Sequence, residues 1–286
     1  MCFFDLFLGL IRGLMGVNKL VHDELFNLLT PTEKMIYEAF LSIRDDVLNS
    51  IKKRDVVGFN VFGETSREFD ERISDLIIGS LRKEGFTGHV VTEEKIDKGN
   101  GNEIIYVDPV DGSLNAARGI PLYCFEMGYN AYKDFKNMQF GLIWIIPSNQ
   151  VYIGLKDRGN YLISGDKFEK IETKRWDLED TVIEISNTSG EILNELKKLG
   201  TTRSLGSIAY SITKLIEGNI EAIFDLTGKL KLTDIAGGIT LINEAKIDYM
   251  VEIFEEKMNP RIGIIASVDK KLYKSLIQLK DSEKEV

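Results

Sequence analysis

The chain has 286 residues, of which 43% are hydrophobic and 28% are charged, a composition typical of a globular protein with a sizeable core. Its net charge of −9 and pI near 5.0 argue against a nucleic-acid binder, since such proteins usually carry a basic face. Two cysteines and two histidines provide neither a disulfide framework nor a zinc-ligand set. This composition fits a cytoplasmic protein.

The first segment, MCFFDLFLGLIRGLMG, is strongly apolar but is interrupted by Asp5 and Arg12. It is shorter than the roughly 20 apolar residues of a membrane span, and it lacks the basic start and cleavage site of a signal peptide. Residues 1–30 are therefore predicted to form an apolar extension, either a helix folded onto the body or a misassigned start. Contact of residues 1–16 with a membrane surface or a partner remains an alternative.

The next part of the chain is predicted to contain helices followed by strands. Thr30 and Glu33 form a capping-box signature around Pro31, and apolar residues then recur at helical spacing as far as Ile51. A second helix is predicted from about residue 65 to 84. Strands rich in β-branched and aromatic residues are predicted at 89–92, 103–108, 121–132, 139–147 and 150–156.

The second half alternates between strands and helices. Strands are predicted at 181–186, 220–225 and 261–267, and helices at 190–200, 207–218, 233–245 and the C-terminus. The predicted fold class is α/β (α+β). It comprises a subdomain over residues 31–170, with helices and a largely antiparallel sheet, and an α/β subdomain over residues 171–286, with a cleft between the two.

The most informative stretch is VDPVDGS, residues 107–113. It delivers two carboxylates, Asp108 and Asp111, at the end of an apolar strand, with Pro109 restricting the backbone between them. Close carboxylates repel each other unless a cation neutralises them, and hard oxygen ligands favour magnesium. Gly112 and Ser113 follow, and their backbone N–H groups suit a phosphate oxygen. These residues alone are equally compatible with a solvated turn.

Two further acidic segments favour a metal site over a solvated turn. Glu93 and Glu94 close the preceding predicted strand, and Asp234 stands at the front of a predicted helix in LKLTDIAGG. Together with VDPVDGS, this set resembles the inositol monophosphatase family of magnesium-dependent, lithium-sensitive phosphatases.

The resemblance rests on ordered motifs between about residues 31 and 275. The segment 108–113 matches the family's Asp-Pro-Ile/Leu-Asp-Gly-Thr/Ser hallmark, and 233–237 matches its second hallmark without the usual tryptophan. The segments 63–66, with the following Asp70, and 203–207 are similar to two further family motifs. NAARGIP, residues 115–121, is closest to archaeal members with both inositol monophosphatase and fructose-1,6-bisphosphatase activity.

Position by position, the resemblance implies two or three Mg²⁺ ions. Glu93, Asp108 and the carbonyl of Val110 would bind the first ion. Asp108, Asp111 and Asp234 would bind the second, and Glu93 would help to hold a weaker third.

The same comparison implies catalytic and substrate-binding residues. Glu64 and Ser66 stand where the family has Asp and Thr and would hold the attacking water; Glu93 and Ser113 complete the catalytic set. Thr227 replaces an acidic residue that contacts inositol in animal members. The implied substrate-binding residues are Asp111, Gly112, Ser113, Gly206, Ser207, Asp225 and Thr227.

The implied fold is a layered α/β/α/β/α sandwich, and the implied assembly is a homodimer. The implied activity is hydrolysis of a small phosphorylated polyol or sugar, either inositol-1-phosphate or fructose-1,6-bisphosphate, through in-line attack of a water molecule that Mg²⁺ activates. Two alternatives remain: a 3′-phosphoadenosine nucleotide phosphatase, and a catalytically silent relative that acts as a binding or regulatory subunit.

Overall fold

The computed structural model describes residues 19–52, 56–59, 65–132, 135–174, 180–186, 188 and 190–283. The expectations for residues 1–16 and for Glu64 lie outside the described residues, as do those for the side chain of Ser66.

The described residues form both helices and strands. The helices are α1 (Lys19–Leu28), α2 (Pro31–Ser50), α3 (Glu68–Lys83), α4 (Ser113–Arg118), α5 (Gly190–Leu199), α6 (Ile208–Glu217), α7 (Ala236–Glu244) and α8 (Lys270–Glu283). The strands of the first half are β1 (Val56–Phe59), β2 (Thr65–Arg67), β3 (His89–Thr92), β4 (Ile96–Asp97), β5 (Ile104–Asp111), β6 (Cys124–Asn130), β7 (Phe140–Ile145), β8 (Gln150–Leu155), β9 (Gly159–Ser164) and β10 (Lys167–Lys170). Those of the second half are β11 (Val182–Ile185), β12 (Thr201–Arg203), β13 (Ala222–Lys231), β14 (Asp248–Glu255) and β15 (Arg261–Ser267).

Two large sheets organise the described part of the chain, and β1 and β2 form a separate two-stranded sheet. The first has the order β10-β9-β8-β7-β6-β5-β3-β4, and the second has the order β12-β11-β13-β15-β14. The first is antiparallel except where β3 pairs with β5, whereas β11 runs parallel to both β12 and β13. The described part of the chain thus has the predicted division into a largely antiparallel sheet and a mixed α/β part.

Three apolar layers separate these elements. The first packs α2 and α3 against one face of the larger sheet. The second places α6 and α7 between the two sheets, and the third packs α5 and α8 on the outer face of the smaller sheet. The result is the expected α/β/α/β/α order of layers, with the two sheets meeting across α6 and α7.

Local capping fixes the start of α2 as predicted. Thr30 Oγ1 accepts a hydrogen bond from the backbone N–H of Glu33, and the Glu33 carboxylate accepts one from the N–H of Thr30. Arg158 donates to both carboxylate oxygens of Glu33. This ion pair between the half-buried Arg158 and the buried Glu33 ties the helix to the turn that precedes β9.

The N-terminal extension contains a helix that belongs to the body. Leu25 of α1 is 0% exposed within the first core, and Phe26 packs edge-to-face on Tyr37 at a ring separation of 6.0 Å. Within the described residues, no helix is both long and apolar enough to cross a membrane.

We predict that Leu25→Ala lowers the free energy of unfolding by about 2–5 kcal/mol, because it leaves a cavity in the first core. The matched control is Leu48→Ala on α2, whose side chain is 43% exposed and whose loss should cost less than about 0.5 kcal/mol. Urea unfolding measures both values. Equal decreases in the free energy of unfolding for the two variants would show that α1 does not contribute to the core.

Candidate active site

A register shift in the larger sheet brings two aspartates together. In the ladder between β5 and β6, Asp108 lies opposite Glu126 and Asp111 lies opposite Cys124. Cys124 and Glu126 are two residues apart and share a face, and directly paired residues also share a face. The extra residue on β5, in the register shift between Asp108 and Asp111, therefore places these two aspartates on one face. Regular alternation would have put them on opposite faces.

Both carboxylates are buried and held by hydrogen bonds. Asp108 and Asp111 are 3% and 8% exposed. Asp108 Oδ1 accepts from the backbone N–H of Val110 at 2.9 Å. Asp111 Oδ2 accepts from the Ser207 hydroxyl and, at 2.7 Å, from the N–H of Ala209. The first turn of α6 thus orients a carboxylate of the larger sheet.

Glu93 and Asp234 reach the site from two other elements. Glu93 follows β3, and its N–H donates to the Val107 carbonyl at 3.1 Å. Asp234 ends a short 3₁₀ turn, Leu232–Asp234, which follows β13. Its Oδ2 accepts from the N–H of Lys231 at 2.9 Å, and its Oδ1 accepts from the Thr233 hydroxyl at 3.0 Å.

Mutual repulsion shows that the carboxylates form one electrostatic cluster. Burial and then the charge of Glu93 raise the pKa of Asp108 well above its usual range, with further contributions from Asp111, Asp234 and Asp70. Burial and then Glu93 raise the pKa of Asp234 to about 8. Hydrogen bonds from Ser207 and Ala209 limit the effect of burial on Asp111, whose pKa is raised to about 6. Such a cluster is stable in its ionised form only when cations neutralise it.

A second network fixes the loop between β12 and α6 against α4. The Glu184 carboxylate on β11 accepts from the N–H of Leu205 at 3.0 Å. Asn115 Nδ2 donates to the carbonyls of Leu205 and Leu122, each at 2.8 Å. Gly206 has φ +76, and a Cβ there would approach Asn115 Nδ2 to 3.0 Å. The conformation and the tight packing both favour glycine at this position.

The structure places the predicted substrate-binding residues in two groups. Gly112 precedes the six-residue α4, and a Cβ added to it would lie 3.0 Å from Ser207 Cβ. Asp225 is 1% exposed, and its Oδ1 accepts from the N–H and the hydroxyl of Thr227 at 2.9 and 2.7 Å. Gly112 and Ser207 are thus neighbours of the carboxylate cluster, whereas Asp225 is buried beneath a turn.

Three residues around the site were missed by the sequence reasoning. Arg67 Nη1 donates to Ser113 Oγ at 3.1 Å. Lys231 is 2% exposed, and its Nζ lies 3.3 Å from Glu93 Oε1. Glu126 is 0% exposed, and its Oε1 accepts from the N–H of Gly238 at 2.9 Å. A glutamate in the middle of an apolar strand, CFEMGYN, was a visible signal for the last of these.

The donor set fits Mg²⁺ in its chemistry. All the clustered ligands are carboxylate oxygens, which hard divalent cations prefer. In the described part of the chain, no three His, Cys, Asp or Glu side chains are already arranged to hold one metal ion. Glu93 and Asp111 instead contact Lys231 and Ser207. The fit therefore rests on the oxygen chemistry and the shared charge of the cluster.

Comparison with known proteins identifies the family. The sequence profile of the inositol monophosphatase family matches residues 33–284. The chain belongs to the inositol monophosphatase family. A relative from Thermococcus kodakarensis, named fructose-1,6-bisphosphatase/inositol-1-monophosphatase, is 29% identical over 79% of this chain and 87% of its own length. The resemblance drawn from the motifs is thus confirmed, and the family is one of phosphatases.

Solved structures of family members share the fold. An inositol monophosphatase–fructose 1,6-bisphosphatase superposes with a TM-score of 0.71 at 23% identity, over 83% of this chain and 95% of the other. An IMPase/NADP phosphatase complexed with Mg²⁺ and phosphate gives a TM-score of 0.70 at 16% identity, over 86% and 93%. The layered fold expected from the sequence is therefore confirmed.

We predict that Asp108→Asn stabilises the metal-free protein, because it removes one charge from a buried, mutually repelling cluster. A gain of about 1 kcal/mol would raise Tm by about 2–4 °C. Thermal unfolding with EDTA measures this change, and the same variant should lose most of the Tm increase that Mg²⁺ gives wild type.

The matched control is Asp75→Asn, since Asp75 has a side chain that is 70% exposed and pairs with Lys95. This variant should leave both quantities nearly unchanged. A lower Tm for metal-free Asp108→Asn would contradict the picture of a self-repelling cluster.

Proposed function

We propose that this protein is a Mg²⁺-dependent phosphomonoesterase that hydrolyses a small phosphorylated polyol or sugar. The observation that carries the proposal is the carboxylate cluster of Asp108, Asp111, Glu93 and Asp234, which electrostatics couples into one unit. The first two side chains are buried and the other two are half-buried. Without cations such a cluster destabilises the fold, so a functional role accounts for its presence. Membership in a family of phosphatases supports this reading.

The proposed metal ligands are those that the motifs imply. Glu93, Asp108 and the Val110 carbonyl would hold one ion, Asp108, Asp111 and Asp234 another, and Glu93 a weaker third. When bound, Mg²⁺ supplies Lewis-acid chemistry, because it neutralises phosphate charge and lowers the pKa of water. A structural neighbour complexed with Mg²⁺ and phosphate supports this choice of metal.

The chain's own residues would position the reactants. Ser207 and the N–H of Ala209 hold Asp111 in a fixed orientation, so the carboxylate does not need to reorganise when cations arrive. We assign the water-holding role to Glu64 and Ser66. Arg67 donates to Ser113, which we assign, together with Gly112, to the phosphate oxygens.

The substrate assignment rests on the name of a relative and on the residues that the motifs assign to the substrate. The relative from Thermococcus kodakarensis carries both fructose-1,6-bisphosphatase and inositol-1-monophosphatase in its name, so both substrates are proposed for this chain. Gly206, Ser207, Asp225 and Thr227 would surround the polyol. Because Asp225 is buried and bonded to Thr227, its proposed contribution is to orient that threonine.

Two alternatives differ in the substrate or in the absence of activity. One structural neighbour is an IMPase/NADP phosphatase, which makes a phosphorylated adenosine nucleotide the second candidate substrate. A silent binding subunit would release no phosphate from any of these compounds. A cytoplasmic homodimer remains part of the proposal for this chain.

The direct test is inorganic phosphate release from inositol-1-phosphate, fructose-1,6-bisphosphate, 3′-phosphoadenosine 5′-phosphate and NADP, each with and without Mg²⁺. We expect Mg²⁺-dependent release from at least one of the first two. Asp111→Asn should lower the rate on the order of 100-fold or more, since even the outer partners of metal ligands cost about 10–100-fold.

Asp75→Asn again provides the control, because it removes an exposed acid that pairs with Lys95 and is not a member of the cluster. It should retain the wild-type rate. Release from the nucleotides alone would favour the nucleotide phosphatase. Failure to release phosphate from all four compounds would favour the silent relative and overturn the proposal.

A further inference from the structure

The carboxylate cluster contains a cation supplied by the chain itself. Lys231, the last residue of β13, is 2% exposed, and its Nζ lies 3.3 Å from Glu93 Oε1. Lysine is almost never this deeply buried unless it is paired. A buried ammonium is expensive to desolvate, and its cost is offset only by close opposite charge. The carboxylate cluster is therefore what makes the burial of Lys231 tolerable.

The lysine is held by the same turn that presents Asp234. Its backbone N–H donates to Asp234 Oδ2 at 2.9 Å, and its positive charge acts against the effect of burial on the pKa of Asp234. One residue of the smaller sheet thus connects a carboxylate of its own segment with Glu93, which follows a strand of the larger sheet. A change in the charge of residue 231 would be felt at both carboxylates.

Glu93 is also the residue assigned to two ions, the first ion and a third that is bound more weakly. A carboxylate has two oxygens, and here Oε1 is engaged by an ammonium group. For a further divalent ion to take this place, it would have to displace Lys231 and leave a buried charge without its partner. An uncompensated buried charge is strongly destabilising, and this cost opposes the binding of a weakly held ion.

We propose that Lys231 is a built-in cation of the site, whose ammonium takes the place of the third, weakly bound divalent ion on Glu93. The inference rests on the proposed function, because it concerns the same metal cluster. It narrows the expected number of ions from two or three to two. It also makes Lys231 a positioning residue that keeps Glu93 directed toward the remaining ions.

The test counts divalent ions in the absence of substrate. Equilibrium dialysis against Mn²⁺ measures ions per chain for wild type, for Lys231→Met, which keeps the length of the side chain without its charge, and for Lys229→Met. Lys229 lies two residues earlier on β13 and is exposed, so it controls for a general loss of positive charge. We expect two ions for wild type and for Lys229→Met, and one more for Lys231→Met.

Several outcomes would overturn the inference. Three ions bound by wild type would do so without any variant, which keeps the test decisive if Lys231→Met fails to fold. Lys231→Gln provides a second uncharged variant. An unchanged ion count in a folded, uncharged variant would also reject the built-in cation. If that variant also bound inorganic phosphate more weakly, Lys231 would instead be a substrate contact.

The same experiment separates failure of the inference from failure of the proposed function. Wild type that binds no Mn²⁺ would contradict the metal-dependent phosphatase itself, and with it this inference. Wild type that binds three ions would leave the phosphatase intact and remove only the role of Lys231.

Discussion

The register shift between Asp108 and Asp111 is the constraint on which the rest of the site depends. Two aspartates three residues apart on a regular strand would point to opposite faces of the sheet. Because β5 advances three residues between Asp108 and Asp111 while β6 advances only two, both side chains lie on the face that packs against α6 and α7. Everything else in the cluster is arranged around this pair: Glu93 from the neighbouring strand, and Asp234 from the second sheet.

Burying that many carboxylates requires compensation, and the chain provides it in two ways. Hydrogen bonds from Ser207 and Ala209 satisfy Asp111, and Lys231 places a positive charge beside Glu93. These two contributions do not remove the repulsion among the carboxylates, because burial and the neighbouring charges still raise the pKa of Asp108 well above its usual range. The remaining repulsion is what bound divalent cations would relieve. Under the proposed function, the stability of the fold would therefore depend on cation binding at this site.

Much of the fold was predictable because its signals are local. The capping box of α2 follows from Thr30 and Glu33, which are three residues apart, and most predicted strands and helices match the observed elements within a few residues. Several strands were not predicted, among them the local hairpin of β9 and β10 and the edge strand β14. Two other departures depend on more distant partners. β12 has only three residues and exists through its pairing with β11. β13 extends to Lys231, beyond the predicted end at 225, because its ladder with β15 resumes after a register shift.

The candidate site was predictable to the extent that its residues form motifs. Asp108, Asp111, Glu93 and Asp234 were proposed from VDPVDGS, VVTEEK and LKLTDIAGG, and electrostatic repulsion couples them in the structure. Their role as metal ligands stays a prediction. Lys231 was not proposed, because a lysine in a polar stretch normally lies on the surface and its burial depends on Glu93, 138 residues away. Glu126 was missed although its place in an apolar strand was a signal, because its hydrogen-bond partner Gly238 is 112 residues distant.

The most direct test of this account is to locate divalent cations in crystals grown with Mn²⁺, by anomalous diffraction. If the carboxylate cluster is a metal centre, anomalous peaks should lie within coordination distance of Asp108, Asp111 and Asp234, with carboxylate oxygens about 2.0–2.6 Å from each ion. A crystal saturated with Mn²⁺ but without anomalous density at these residues would contradict the central claim, whatever the protein hydrolyses.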